Sequence, residues 1–398
     1  MSEGALGLIR RVTIDSESTI YTADANPENI AGVENLTFTH MRESLEDQRH
    51  LTLAKGQYAS HLGRKSGEIS FTTPVHASTY SEMAFPLKSA FGTQSTNTIT
   101  YASANTTTLT KSAGNFDPIT LVTVGGVEIP IPSKSVSTNT LTYAILPGGS
   151  ASAAVNASQS SGACFVQDYT ASAYTMSMLI DADGESDFVP YEYSGCVTNK
   201  CELNLDLNQR LSLNFGFMAG DWTTTTTISA SDPSALSKQF LGYAANCYLQ
   251  DIGTPAAGTQ IDLHSLNVNL CWDWVPRAAV RANTSNAIPG SPICGYKPRL
   301  WCPDGVKMTL TKNASAYMTA RTNKTPYGFF MVFNVGGPGD TASTNNKVAL
   351  WIPRLVLDAD PVEVDIDGLT GVELSFKVEL ESTLSSEVST QAALAFFN

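Results

Sequence analysis

The chain has 398 residues, 42% of them hydrophobic and only 15% charged, with 24 basic against 37 acidic side chains and a formal charge of -13. That length exceeds what one hydrophobic core usually fills, so two packed units are expected, and the acidity argues against a protein that grips nucleic acid phosphates. Abundant Ser, Thr and Asn, with 29 glycines and 19 prolines scattered throughout, favour half-buried strands over long helices.

At the start of the chain Arg10 and Arg11 follow a very short apolar stretch, the wrong order for a signal peptide. No uncharged apolar run reaches membrane-spanning length, so membrane anchoring is not expected. Seven cysteines, an odd number, then read as reduced thiols packed in cores. Residues 33–42 alternate as a strand, and 65–76 put Ile69 and Phe71 on one face. A short helix over 83–91 follows, with Ser81 able to cap it, Glu82 in its first turn, Pro86 limiting its length and Gly92 ending it. Residues 93–114 read as a polar loop or edge ribbon, 115–147 as three short strands forming a small β insertion, and 148–161 as a flexible stretch.

The clearest pattern is a hairpin. Leu203, Leu205 and Leu207 alternate with Glu202, Asn204 and Asp206; after a turn near Asn208, Leu211, Leu213, Phe215 and Phe217 alternate with Arg210, Ser212 and Asn214. The design recurs near the C-terminus, where Val362, Val364 and Ile366 alternate with Glu363, Asp365 and Asp367. After a Gly-containing turn, Val372, Leu374, Phe376, Val378 and Leu380 alternate with Glu373, Ser375, Lys377 and Glu379. Residues 263–274 read as an alternating strand pair, 305–311 as a strand and 313–321 as a short helix, so each half runs strands, helix, amphipathic hairpin. The expected fold is therefore mainly β, with two tandem sandwich or barrel units. The first covers 1–222, with the small β domain inserted at about 93–161; 223–233 is a linker and 234–398 the second unit.

Chemistry-bearing motifs are sparse. The acidic run at 181–187 (Asp181, Asp183, Glu185, Asp187) has alternating oxygens but lacks the spacing of a calcium loop, and a hairpin turn at Asp183-Gly184 is simpler. Cys196 with Cys201, and Cys294 with Cys302, lack the close spacing and nearby histidines of a zinc site. The five histidines have no nucleophile signature beside them, and Gly336-Gly337-Pro338-Gly339 reads as a loop, not a phosphate cradle. Asn-Xaa-Ser/Thr triplets such as those at Asn35 and Asn313 arise readily in a Thr-rich chain. No catalytic residue, metal ligand or cofactor is assigned, and an enzyme is not expected.

Three stretches together resemble the major tail tube proteins of long-tailed (siphovirus-type) bacteriophages: Lys65-Ser66-Gly67-Glu68-Ile69-Ser70-Phe71, Phe85-Pro86-Leu87-Lys88-Ser89-Ala90-Phe91-Gly92, and Tyr193-Ser194-Gly195-Cys196-Val197-Thr198-Asn199-Lys200-Cys201-Glu202-Leu203-Asn204-Leu205. The last leads into the hairpin ending Phe215-Gly216-Phe217-Met218-Ala219-Gly220. The resemblance covers most of the chain, including the small inserted barrel. It leaves the stretch from Cys271 to Cys302, with Trp272, Trp274 and Trp301, without a counterpart.

What the resemblance implies is a structural virion protein, assembled in the host cytoplasm and located in the tail. Its hairpins join between subunits into a continuous β-barrel, and its rings stack into a conduit through which DNA passes without specific binding. With two units per chain, three chains make a ring of pseudo-sixfold symmetry, and the partners are other copies and other tail proteins. The lumen-facing residues would be Glu202, Asp206, Glu363, Asp365, Asp367, Glu373 and Glu379, outnumbering Arg210 and Lys377, so the bore would be largely negative. The same polarity also fits ordinary solvated strands on a monomer. The alternative is a secreted or virion-surface glycan-binding or adhesive β-domain protein, for which Trp272, Trp274 and Trp301 would be exposed aromatics.

Overall fold

The computed structural model describes residues 11–23, 28–30, 32–45, 61–75, 83–95, 98–105, 108–124, 127–145, 158–160, 163–168, 175–181, 191–224, 239–251, 259–278, 293–311, 314–334, 347–386 and 388–397. The expected loop at 336–339, the turn at Asp183-Gly184, Ser81, Glu82, Asn313 and most of the 223–233 linker lie outside them.

The protein is mainly β, built from antiparallel sheets with two short helices. In the first half, β1 (Glu34–Leu45) and β2 (His61–Pro74) form a hairpin with Phe38 opposite Ile69. Helix α1 (Ala84–Phe91) follows, one residue shorter than expected, and ends where Gly92 takes φ 102 and donates its N–H to the Lys88 carbonyl. Next come β3 (Tyr191–Asp206) and β4 (Ser212–Ala219), with Leu203 opposite Leu213. β4 also pairs with β2, Phe215 facing Phe71 and Phe217 facing Ile69, so the spatial order is β1-β2-β4-β3.

The second half repeats this topology. β5 (Leu263–Asn269) pairs with β6 (Val306–Leu310), α2 (Ser315–Asn323) follows, and the hairpin β7 (Val362–Ile366) and β8 (Leu369–Val378) returns with β8 against β6. The order is β5-β6-β8-β7. The halves are then joined strand to strand: β3 pairs with β5 from Glu202 opposite Asn269 to Asp206 opposite Ser265. One antiparallel sheet therefore runs β1-β2-β4-β3-β5-β6-β8-β7.

Alternation explains why this sheet has one dry face. Leu203, Leu205, Leu211, Leu213, Phe215 and Phe217 are all buried, each contributing about 1.5–3 kcal/mol relative to exposure, and Phe71 stacks on Phe217 at 5.4 Å and meets Phe215 tilted at 5.7 Å. Behind them lie α1 and a further ladder in the order Ala245–Asp251, Tyr327–Asn334, Lys347–Leu357, Ala393–Phe397, Cys164–Gln167, Gly92–Ser95, continuous with the same sheet through Leu355 opposite Val378 of β8. Both halves feed one core, in which Phe91, Phe165 and Phe215 join Met308, Phe376, Leu350 and Leu394. The core does not divide at 223–233. Instead the strand Asp221–Thr224 folds back on β3, with Trp222 opposite Tyr193.

Two expectations are corrected here. Of the two readings of 93–114 the loop is overturned and the ribbon is found: Gly92–Ser95, Thr98–Ala104 and Thr108–Ala113 are strands, the last two paired within a six-stranded inserted sheet. Their threonines suit a ladder, and Leu109 with Lys111 supplies the buried face, the Lys111 ammonium lying 4.5 Å from the Phe116 ring centre. The insertion buries Val388 of the C-terminal segment with Leu109, Val122 and Ile131, and Ile119 and Leu121 share one buried cluster with Phe330, Trp351 and Ala395, so it buttresses the second half. Residues 263–274 are not a hairpin either: β5 ends at Asn269, and Trp272–Ala278 pairs with Ile293–Trp301 as a separate arm.

Candidate functional site: the polar face of the joined sheet

Directly opposed residues of an antiparallel pair project to the same side of a sheet. One polar row therefore crosses Glu34, Thr72, Asn214, Glu202 and Asn269. The next crosses Ser212, Asn204, Asn267, Lys307 and Ser375, and a third Asp206, Ser265, Thr309 and Glu373. These rows run unbroken over the join between halves, where the Asn267 amide donates to the Asn204 side-chain oxygen at 2.5 Å. At that join the face is hollowed into a concavity of about 500 Å3 whose lining includes Asn204, Asp206, Gln209, Asn267, Lys307 and Glu373. The polar side of this half-barrel is thus concave there.

Of the expected acidic residues, Glu202, Asp206, Glu373 and, by its parity on the same chain run, Glu379 share this face. Glu363 and Asp365 do not. Val362 opposes Glu373, Glu363 opposes the buried Val372, and Asp365 opposes Thr370, so the two acids lie on the opposite side while Val362, Val364 and Ile366 share the side of Glu373. The cause is the turn. Asp367 and Gly368, at φ 51 and 83, form a two-residue turn of the type that demands left-handed conformations. An even loop pairs residues of opposite parity, which sets the apolar side of β7 beside the polar side of β8. In the first hairpin five residues, 207–211, intervene, an odd number, so Leu203 meets Leu213 and both apolar sides coincide. Asp367 is therefore a turn residue at the sheet's margin.

The charges on the face are also closer to balance than the acidic list implied. Glu202 pairs with Lys200 at 3.0 Å and accepts from Asn214 at 3.2 Å; Arg210 is ion-paired with Glu34. Glu379 accepts from Arg354 at 3.1 Å, and Lys377 is exposed. Lys307, which the list omitted, stands in the second row, and Lys200, also omitted, lies on the same face opposite Gly216. Their positions followed from strand parity and could have been read.

Other expected features resolve as packing. Trp272, Trp274 and Trp301 are 7%, 2% and 4% exposed, so the exposed-aromatic expectation is overturned; Trp301 meets Phe91 at 5.3 Å and Trp272 at 5.4 Å inside the core. Cys164, Cys196, Cys201, Cys247, Cys271 and Cys302 are free and buried, and burial pushes the Cys247 and Cys302 thiols up to about 12. Among the described residues no cluster of His, Cys, Asp and Glu has the makings of a metal site, and no helix is long and apolar enough to cross a membrane.

What this geometry defines is an antiparallel β-protein with a duplicated strand-strand-helix-hairpin topology and a polar face that runs unbroken across the join and is hollowed there. Comparison with known proteins returns no matching family model and no matching curated relative.

Proposed function

We propose that the protein is a structural subunit of a bacteriophage tail tube, in which three chains close a ring and stacked rings enclose a conduit for DNA. The observation that carries this reading is the joined sheet. Two copies of one topology sit side by side, β3 of the first against β5 of the second, and the sheet ends on two edges, β1 and β7, that carry no further strand among the described residues. A repeat joined head to tail forms a ring when its rotation closes, and closure removes the exposed edges that otherwise invite aggregation.

The concave polar face becomes the inner wall. Asn, Ser and Thr rows with paired charges offer DNA neither a basic track nor an aromatic stacking platform, which suits passage without retention. Electron microscopy of the purified protein tests the proposal: rings, or tubes of uniform bore, are expected, and a chain that stays monomeric at high concentration contradicts it.

A further inference from the structure

We propose that the concavity at the join of the two halves is a binding site for a neutral saccharide of about two or three rings. This goes beyond the ring reading and does not rest on it, because every lining residue belongs to one chain. The lining carries amides at Asn204, Gln209 and Asn267, carboxylates at Asp206 and Glu373, and one ammonium at Lys307, distributed over the neighbouring strands β3, β5, β6 and β8 and the turn after β3. Two acids against one base disfavour a polyanion. The apolar side chains of the lining, Leu205, Leu266 and Met308, are buried, so an apolar ligand finds no surface to cover. A hollow of about 500 Å3 with several convergent polar groups has the size and character of a site for a small organic ligand.

The amides are already ordered for such a ligand. Asn267 donates one amide N–H to Asn204 Oδ1 at 2.5 Å, which leaves the Asn204 Nδ2 donors beside the Asn267 Oδ1 acceptor. Asp206 accepts the Asn208 N–H on Oδ1 at 3.3 Å and keeps Oδ2. A donor next to an acceptor, with a carboxylate two residues along the same strand, matches a vicinal diol, in which each hydroxyl gives one hydrogen bond and takes another.

A saccharide also presents apolar C–H faces, and these need an aromatic ring. Tyr243 is 54% exposed and sits on the turn Gly242–Ala244. The Gly242 N–H is donated to the carbonyl of Gln209 at 2.8 Å, and a Cβ at Gly242 would collide with the Asp206 carbonyl oxygen, so this turn is pressed against the rim of the hollow. The exposed aromatic that the sequence suggested at Trp272, Trp274 and Trp301 is supplied here instead, next to the polar groups that would hold the hydroxyls.

Saturation-transfer NMR of the purified chain with maltotriose, cellotriose and triacetylchitotriose tests the site, with spermidine as the probe for a site read by its carboxylates alone. At least one of the three sugars is expected to bind with a Kd on the order of 1 mM. Tyr243→Ala and Glu373→Ala, both at exposed positions, are each expected to weaken it about tenfold, with the unfolding temperature unchanged, whereas Met318→Ala on α2 leaves it as it was. No binding of any of the three sugars up to about 10 mM, binding that survives both rim and lining variants, or a site taken by spermidine alone overturns the proposal. Rings under the microscope without sugar binding leave the tube reading standing, and sugar binding by a chain that stays monomeric contradicts the tube reading alone.

Discussion

Arg354 lies between two carboxylates, donating to Glu379 at 3.1 Å and to Glu381 at 3.2 Å, and only 3% of the Glu381 side chain is exposed. Burial alone would raise the Glu381 carboxyl; hydrogen bonds from the Thr383 hydroxyl and N–H and from Arg354, with the guanidinium charge, outweigh it and hold the group below the usual carboxylate range. A depressed folded value means stability present above the unfolded value of about 4.3 and lost as pH falls through the folded one. Arg354→Met is therefore expected to cost about 2–3 kcal/mol at neutral pH, with the gap to the parent protein narrowing in acid. Urea unfolding at pH 7 and near pH 3 measures this; an equal gap at both would contradict it.

Glu17 has the opposite sign. Desolvation raises its carboxyl despite the N–H of Gly195, donated at 2.8 Å. Its contribution is present below the unfolded value and is lost as pH rises through the folded one, so the charge weakens the fold at neutral pH. Glu17→Gln keeps an acceptor for Gly195 and is expected to stabilise by up to about 1 kcal/mol at pH 7 and by nothing in acid. A uniform change across pH would argue against this origin. Gly305 is a backbone case: at φ 68, an added Cβ would lie 2.4 Å from the Phe376 carbonyl oxygen. Gly305→Ala is expected to cost roughly 2 kcal/mol in a denaturation curve.

At the scale of elements, the two hairpins show what a pattern holds and where it stops. Leu203, Leu213 and Phe215 could be placed on one buried side from alternation alone, because an odd connection of five residues keeps both strands in phase. Val362, Glu363 and Asp365 were placed on the wrong side, because alternation within a strand does not state its phase against the neighbour. The missing information was the parity of the Asp367-Gly368 turn, which was present in the sequence. One residue inserted after Gly368, with the two-residue Asp367-Gly368 turn kept so that β7 slips by one place against β8, is expected to reverse the phase and bury Val362 over Val372. A Val362→Cys reporter would then react with a maleimide about tenfold more slowly than in the uninserted protein; unchanged reactivity would show that the turn does not set the register. The tryptophans failed for a related reason, since nothing local in Trp272 and Trp301 signals that Phe91, far away in the chain, packs against them.

Across the whole molecule, the strand-rich class and the order strands, helix, hairpin in each half were legible from spacing and turn residues. The joining of the halves through β3 and β5, the shared core and the insertion leaning on Phe330 and Trp351 were not, because they depend on contacts between residues far apart in sequence. That joining is also the basis of the functional proposal: a chain holding two of the repeating units fills a ring of six places with three copies. The most direct test is the mass of an isolated single ring under native conditions. Three chains, three times 42.5 kDa, is the predicted value; a ring of six chains, or no species beyond one chain, would contradict the account.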